Sequence, residues 1–430
     1  MGMCARIAFY SFNEGLKVLN HRTLPKVWGA FLGNFFEHYD TALFTALAPF
    51  IAHLFFPSSS SVASLIYAYA LIPIGMLARP IGALIFGRIG DLYSRESALF
   101  YSMAGMAVVS FFIAICPTYE KVGALGAVLL GACRFLQNLF ASGESMGGAI
   151  YILEQSPKEK HDLLSGLFSM STVGGILAAS LAVASCCHFG NVEESWRILY
   201  LIGCFTGFFG LILRKNRNGE KRQGSQAFQG NFLKTLWEQR RFVAIIALAS
   251  GFTYSTFSVG LVLMNGFIPV ITDFSKEDMI QLNAALLAYM MILLPFLGKL
   301  ASSLSRELLM KSTLAFTAIF APFLFTFLGG ASFPQIVAVR GILVTLGVMF
   351  SCSFHAWAQT LVPKEHRYMI LSMGYALGTQ LLGGPCSAVS LGLFHFTEQV
   401  FAASLYWGAL AFVNLYFFIK RPIPACALNN

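Results

Sequence analysis

Apolar runs of about twenty residues recur along the whole chain, each closed by a short polar break. A helix rises 1.5 Å per residue and a bilayer core is about 30 Å thick, so runs of this length are read as spanning helices. The pattern predicts twelve, at 27–55, 63–87, 97–116, 121–152, 163–187, 196–213, 242–270, 279–301, 308–328, 334–361, 369–393 and 399–419. One break is longer than the rest. RKNRNGEKRQGSQAFQGNFLKTLWEQRR, residues 214–241, holds eight basic and two acidic residues and leaves six runs on either side. The expected organisation is an N-terminal segment 1–26, a six-helix half 27–213, a linker 214–241, a second half 242–420 and a tail 421–430.

The two halves share landmarks. Arg134 opens RFLQNLF and Arg340 opens RGILVTL 206 positions later, and Pro157-Lys158-Glu159 returns as Pro363-Lys364-Glu365 at the same offset. GRIGDLYSRE (87–96) pairs with GKLASSLSRE (298–307). Two copies of one six-helix unit, related by an axis along the membrane normal, are the build of a large class of transporters. In these, one half rocks against the other around a midplane site.

Composition sharpens the class. Hydrophobic residues make up 57% of the 430 and charged residues only 11%, against about 25% charged in a soluble domain. A net charge of +9 could suggest nucleic acid, but its placement argues otherwise. With both termini cytoplasmic, 23 of the 29 Lys and Arg fall on inner segments and three (Lys121, Arg197, Lys276) on outer ones. That is the positive-inside bias of a multi-pass protein of a cell inner membrane. The nine cysteines include no C-x-x-C, and Cys186-Cys187 has no metal-ligand company, so they read as small buried hydrophobes. MGMCAR has Arg6 where a myristoylation signal has Ser or Thr, and no cleavable leader precedes the first span. No clustered metal ligands, nucleophile elbow or phosphate loop occurs, so neither an enzyme nor a cofactor is expected.

Six charges lie in the span interiors, away from their ends: Glu37, Asp40, Glu144, Arg79, Arg134 and Arg340. An ionised side chain at a helix centre costs roughly 2.5–3.5 kcal/mol, so such residues are functional candidates. Glu37 and Asp40, in GNFFEHYD, are three apart and share a helix face; nine residues beyond Trp28, Glu37 lies about 14 Å deep. Two carboxylates at low dielectric cannot both ionise cheaply, so the pair can load and release a proton. The alternative is a static salt bridge between the first and fourth spans. Arg134 can pair with an acid or take a substrate carboxylate, for which a planar guanidinium is suited. Glu144, among Gly143, Gly147 and Gly148, can relay a proton or pair with Arg79. For a quaternary amine, cation–π faces could come from Phe36, Tyr39, Tyr254, Phe257, Phe354 or Trp357, with His355 as a further polar contact.

The loop after the second span, Gly87-Arg-Ile-Gly-Asp91-Leu-Tyr-Ser-Arg95, resembles the G-x-x-x-D-R/K-x-G-R-R/K signature of the major facilitator superfamily. Leu92, Ser94 and Glu96 depart from it, and Ser302 replaces the acid in the second copy. GNFFEHYD, LARPIGALIFGRIGD, SGESMGG and SWRI resemble segments of its metabolite–proton symporters, most of all the bacterial proline/betaine transporters. His38 stands where Trp is usual, and Ser142 and Met146 where Gly and Tyr are. The resemblance implies an all-α major facilitator fold and alternating access. Its implied gate comprises Gly87, Asp91 and Arg95, with Gly298 and Arg306 in the second copy. It also implies proton-driven import of a zwitterion such as proline or glycine betaine. Partners would be substrate, protons and lipid, with no nucleic acid, metal or second subunit. An organic-acid symporter and a non-transporting sensor are the alternatives. The tail RPIPACALNN lacks the coiled coil of some betaine symporters.

Overall fold

In the computed structural model, residues 24–57, 61–190, 192–204 and 232–420 are described. They form helical rods at the predicted places. The first six are α1 (Leu24–Phe55), α2 (Ser61–Leu92), α3 (Arg95–Ala114), α4 (Leu125–Glu154), α5 (His161–Phe189) and α6 (Val192–Gly203). Then comes α7, Arg240–Phe257 continued through a π-helical turn Ser258–Leu263 into Met264–Ile271. α8 (Lys276–Leu304) and α9 (Arg306–Thr326) follow. α10 is Phe333–Ser351 with Phe354–Leu361, and α11 is Arg367–Leu377, a π turn Gly378–Gly383 and Cys386–Thr397. α12 is Leu405–Lys420. Most of the linker 214–241, the N-terminal 1–23 and the tail 421–430 lie outside the described residues.

Among the described residues, eight of these rods are long and apolar enough to cross a membrane unaided. The other four are α1, α2, α6 and α11. The described part of α6 and the second piece of α11 have only 12 residues each. Large apolar side chains such as Phe111, Phe112, Phe323 and Phe396 face outward, as a lipid-facing surface requires.

Packing separates two compact units, 20–155 with 171–229, and 156–170 with 230–430. The repeat reappears inside them. In the first unit α2 packs on α4, α3 on α4 and α6, and α1 on α2, α4 and α6; in the second α8 packs on α10, α9 on α10 and α12, and α7 on α8, α10 and α12. Each pairing is the other shifted by six helices, which is the sequence repeat expressed as packing.

Two local signals explain where helices start. Ser94, with an extended backbone, accepts from the Ser97 N–H at 3.0 Å and caps α3. Ser275 with Asp278, and Ser332 with Gln335, form reciprocal caps on α8 and α10. The Ser94 cap corrects the expectation of a loop over 87–96. α2 runs on through Gly87 and Asp91 to Leu92, and only Tyr93-Ser94 turns the chain. Ser94, a departure from the signature, is therefore the residue that starts the next helix. Glu96 lies in the first turn of α3, where an acid suits the helix dipole, and accepts from Tyr151 Oη at 3.2 Å. Nothing in the structure explains Leu92.

Candidate functional site

The first unit gathers the embedded acids, and α1 positions them. Glu37, Asp40 and Glu144 are all 0% exposed. Although Glu37 and Asp40 share a face of α1, they meet different partners. Glu37 Oε1 lies 3.8 Å from Arg79 Nη2 on α2, and its Oε2 lies 2.7 Å from His38 Nδ1. Asp40 accepts from the Ser110 hydroxyl on α3 and from Gln137 Nε2 on α4 at 2.5 Å. α6 approaches Asp40 because its Gly203 has no side chain: a Cβ there would lie 3.0 Å from Asp40 Cγ. The acid paired with an arginine is thus Glu37 with α2, not α4 as a bridge between the first and fourth spans would require.

Arg134 reaches Asp40 only through an intermediary. Its Nη1 donates to Gln137 Oε1, and Gln137 in turn donates to Asp40. The guanidinium lies 4.2 Å above the Phe44 ring, and its Nε–H has no hydrogen-bond acceptor. The Tyr200 hydroxyl and Asp40 Oδ1 are likewise buried without hydrogen-bond partners. One turn along α4, Asn138 accepts from Arg79 Nε at 3.1 Å and donates to the Arg134 carbonyl at 3.0 Å. Arg79 is therefore occupied by Glu37 and Asn138. Glu144 does not take it: both oxygens of Glu144 lack hydrogen-bond partners. A Cβ on Gly33 would sit 3.0 Å from Glu144 Oε1, so α1 comes this close because Gly33 has no side chain.

Gln137, Asn138 and Ser110 complete this network and were not singled out from the sequence. The signal was there: Gln137 and Asn138 are polar residues three and four places after Arg134 in an apolar run, on the same helix face. Tyr39 and Phe36 sit beside it. The Tyr39 hydroxyl donates to the Leu199 carbonyl at 3.2 Å, and its ring meets Phe36 edge-on at 6.4 Å.

Arg95 is the centre of a second cluster at the joint of α2, α3 and α4. It pairs with Asp91, with Glu154 at 3.3 Å, and donates to the Gly90 carbonyl at 2.8 Å. The side chains of Arg95, Asp91 and Glu154 are only 7%, 7% and 14% exposed, so this is a packed joint rather than a solvated loop. Gly87 is buried on α2 nearby. Arg306 pairs with Asp162 at 3.1 Å, not with Asp91. Gly298 has a further part: α8 crosses the start of α5 there, with the Gly298 and Gly166 Cα positions so close that a Cβ on either would lie 3.4 Å from the other's Cα. Ser302, lacking the acid of the first copy, donates to the Lys299 carbonyl at 2.6 Å.

Among the described residues of the second unit, Arg340 is the charge buried mid-span, 0% exposed. Its acceptors are all neutral: the carbonyls of Gly260 and Met279, and the side-chain oxygens of Asn265 and Asn283, the last two at 2.9 Å. It ties α10 to α8 and to the π turn of α7. A second π turn lies in α11, and Ser258 and Ser387 meet at 2.6 Å between these rods. The sequence signalled neither turn. Trp357 is fully buried and stacked on Phe418 at 4.7 Å, and Tyr254 lies 6.5 Å from Phe257. Phe354 and His355 meet edge-on at 5.3 Å. Phe354 also lies 6.2 Å from Trp357.

Residues 30–368 match the Major Facilitator Superfamily. Among curated proteins, one described as "Putative proline/betaine transporter" in Staphylococcus haemolyticus is 25% identical over 417 residues, covering 93% of this chain and 88% of that protein. An alpha-ketoglutarate permease of Escherichia coli is 26% identical (88% and 89%), and a citrate-proton symporter of Klebsiella pneumoniae 27% identical (88% and 87%). Among solved structures, the proton:xylose symporter XylE superposes with a TM-score of 0.71 at 15% identity, over 93% of this chain and 96% of its own. The Escherichia coli fucose:proton symporter gives 0.70 at 10% identity, over 92% and 98%. At such identities these structures speak for the fold alone.

Proposed function

This chain belongs to the Major Facilitator Superfamily, a multi-pass membrane transporter family and not an enzyme family, and on that premise we propose that it is a proton-coupled importer of a small zwitterion of the proline or glycine betaine kind. It works by alternating access in a cell inner membrane with both termini cytoplasmic. The observation that carries the reading is the composition of the first unit's buried cluster. It contains three acids, Glu37, Asp40 and Glu144, and two arginines, Arg79 and Arg134. One proton balances that set, and carrying a proton down its gradient is what a symporter does. Each 100 mV of membrane potential supplies about 2.3 kcal/mol per charge, enough for roughly fifty-fold accumulation.

The substrate class is supported by a shared chemistry. Proline, betaine, alpha-ketoglutarate and citrate, named in the relatives, all carry a carboxylate. Arg134 is the embedded base with an N–H still lacking an acceptor, whereas the Arg340 nitrogens are taken by neutral oxygens. One available guanidinium suits one carboxylate. The second reading, import of a di- or tricarboxylate, is favoured by the names of two of those relatives.

Uptake of labelled proline, glycine betaine, alpha-ketoglutarate and citrate into proteoliposomes with an imposed pH gradient tests both. Proline or betaine accumulating with the gradient, and losing that drive in Glu37→Gln or Asp40→Asn while equilibrium exchange persists, is the expected result. Accumulation of only the organic acids moves the assignment to the second reading. Uptake indifferent to the gradient refutes proton coupling, and binding without any uptake marks a sensor.

A further inference from the structure

His38 lies within this cluster, and its geometry gives it a chemistry that neither carboxylate has. Its Nδ1 is 2.9 Å from the Asn34 carbonyl oxygen, one turn back on α1. A carbonyl oxygen can only accept, so Nδ1 carries the hydrogen and the basic lone pair belongs to Nε2. Glu37 Oε2 lies 2.7 Å from the same Nδ1 but off the N–H direction, and it has no hydrogen-bond donor of its own. The Glu37 side chain is sealed at 0% exposure while that of His38 is 15% exposed. The imidazole is thus the member of the pair that a proton can reach.

We infer that His38 is a proton-binding residue of the cluster, taking a proton at Nε2 and holding the imidazolium against the Glu37 carboxylate. In the step, the Nε2 lone pair forms a bond to a proton delivered from water. The Nδ1–H bond to Asn34 is untouched, and release is the reverse. The charged groups gathered about Glu37, the ring's carboxylate neighbour, support this role. α1 contributes Glu37 and Asp40, α2 contributes Arg79, and α4 contributes Glu144 and Arg134. α5 closes over this turn with neutral groups only: Ser171 and Thr172 accept from Asn34 Nδ2 at 2.7 and 2.9 Å, and a Cβ on Gly175 would lie 3.1 Å from His38 Cβ. An imidazolium brings this set of three acids and two arginines to neutrality without protonating a carboxylate. A carboxylate beside a cation is the cheaper arrangement in a low-dielectric interior.

The transport consequence rests on the proton-coupled reading; the protonation itself does not, and the test separates them. Purified protein labelled with ¹⁵N-histidine is titrated by NMR across about pH 5–8, the range where histidine changes charge. His38→Asn assigns the signal, since Asn keeps a donor near the Nδ1 position and lacks Nε2; His38→Gln takes its place if His38→Asn does not reach the membrane. The expected result is one signal, lost in the variant, that passes from the Nδ1–H tautomer to imidazolium as the pH is lowered. In proteoliposomes the variant should lose one proton from the proton:proline ratio measured by reversal potential. A His38 that stays neutral throughout, or sits in the Nε2–H tautomer, overturns the inference. So does a variant with an unchanged ratio. His38 protonating in a protein whose uptake ignores the pH gradient leaves the inference standing and removes the proton-coupled reading instead.

Discussion

Arg95→Ala is the perturbation whose consequence the structure fixes best. It removes the common partner of Asp91 and Glu154 and the donor to the Gly90 carbonyl, in a joint where the three side chains are 7–14% exposed. Deleting one member of a buried ion pair typically costs about 3–5 kcal/mol, because the charge left behind has lost its compensation. Here Arg95 is the partner that Asp91 and Glu154 share at the ends of α2 and α4, so the whole of that range applies. For a compact unit of roughly two hundred residues, each kcal/mol moves a midpoint by about 2–4 °C. The expected loss is therefore about 6–20 °C in thermal unfolding followed by exposure of buried cysteines such as Cys116 to a thiol-reactive dye. Arg95→Lys keeps the charge but not the fork that serves Asp91, Glu154 and Gly90 together, and should fall between. The reasoning also dictates a rescue: adding Asp91→Asn and Glu154→Gln to Arg95→Ala removes the stranded charges and should recover much of the loss. A midpoint within 2 °C of wild type, or no recovery in the triple variant, would refute it and return the signature to an exposed, weakly interacting turn.

Three further outcomes follow from single contacts. Arg340→Met strands the oxygens of Gly260, Met279, Asn265 and Asn283, at about 1–3 kcal/mol for each one left unpaired; a lowered unfolding midpoint is expected, and an unchanged one would mean that the guanidinium is not their donor. Glu144→Met replaces a buried carboxyl without hydrogen-bond partners by an apolar side chain, so stability in the same assay should hold or rise by up to about 2 kcal/mol, and a clear loss would show an unrecognised partner. Gly298→Ala places a Cβ 2.8 Å from the Asp162 carbonyl and should cost about 1–3 kcal/mol, whereas Gly266→Ala, with nothing within 4 Å of the new atom, should cost little; equal effects would sink the close-crossing argument.

The fold was legible in the sequence because its governing signal is long-range and redundant. Twelve apolar runs, a basic bias in the breaks and a repeated Arg, Pro-Lys-Glu and loop motif all point to one architecture. The partners within the cluster were not legible in the same way. That Glu37 and Asp40 share a face of α1 follows from their spacing. That one turns to Arg79 and the other to Ser110 and Gln137 depends on which helices flank α1, and spacing does not contain that. The π turns at Ser258–Leu263 and Gly378–Gly383 are equally silent, since one extra residue in a turn leaves the apolar run unbroken. The aromatic candidates show the same limit from the other side. Spacing does not contain the stacking of Trp357 on Phe418 or the bond from the Tyr39 hydroxyl to the Leu199 carbonyl.

Arg134 and Arg340 make the point physically. They are equivalent in the repeat, and a count over the chain balances three embedded acids with three embedded bases. Electrostatic balance, however, is local: at a low effective dielectric a charge is compensated by what lies within a few ångströms. Arg340 is followed three and four residues later by Leu343 and Val344, and it is compensated by carbonyls and amides from α7 and α8. Arg134 is followed at the same places by Gln137, which links it to Asp40, and by Asn138, which accepts from Arg79, the partner of Glu37. The same residue in the same frame thus became a clasp in one half and a member of a charge network in the other. Removing Arg340 from the count leaves the network one positive charge short, and that shortfall is the physical reason to look for a proton there.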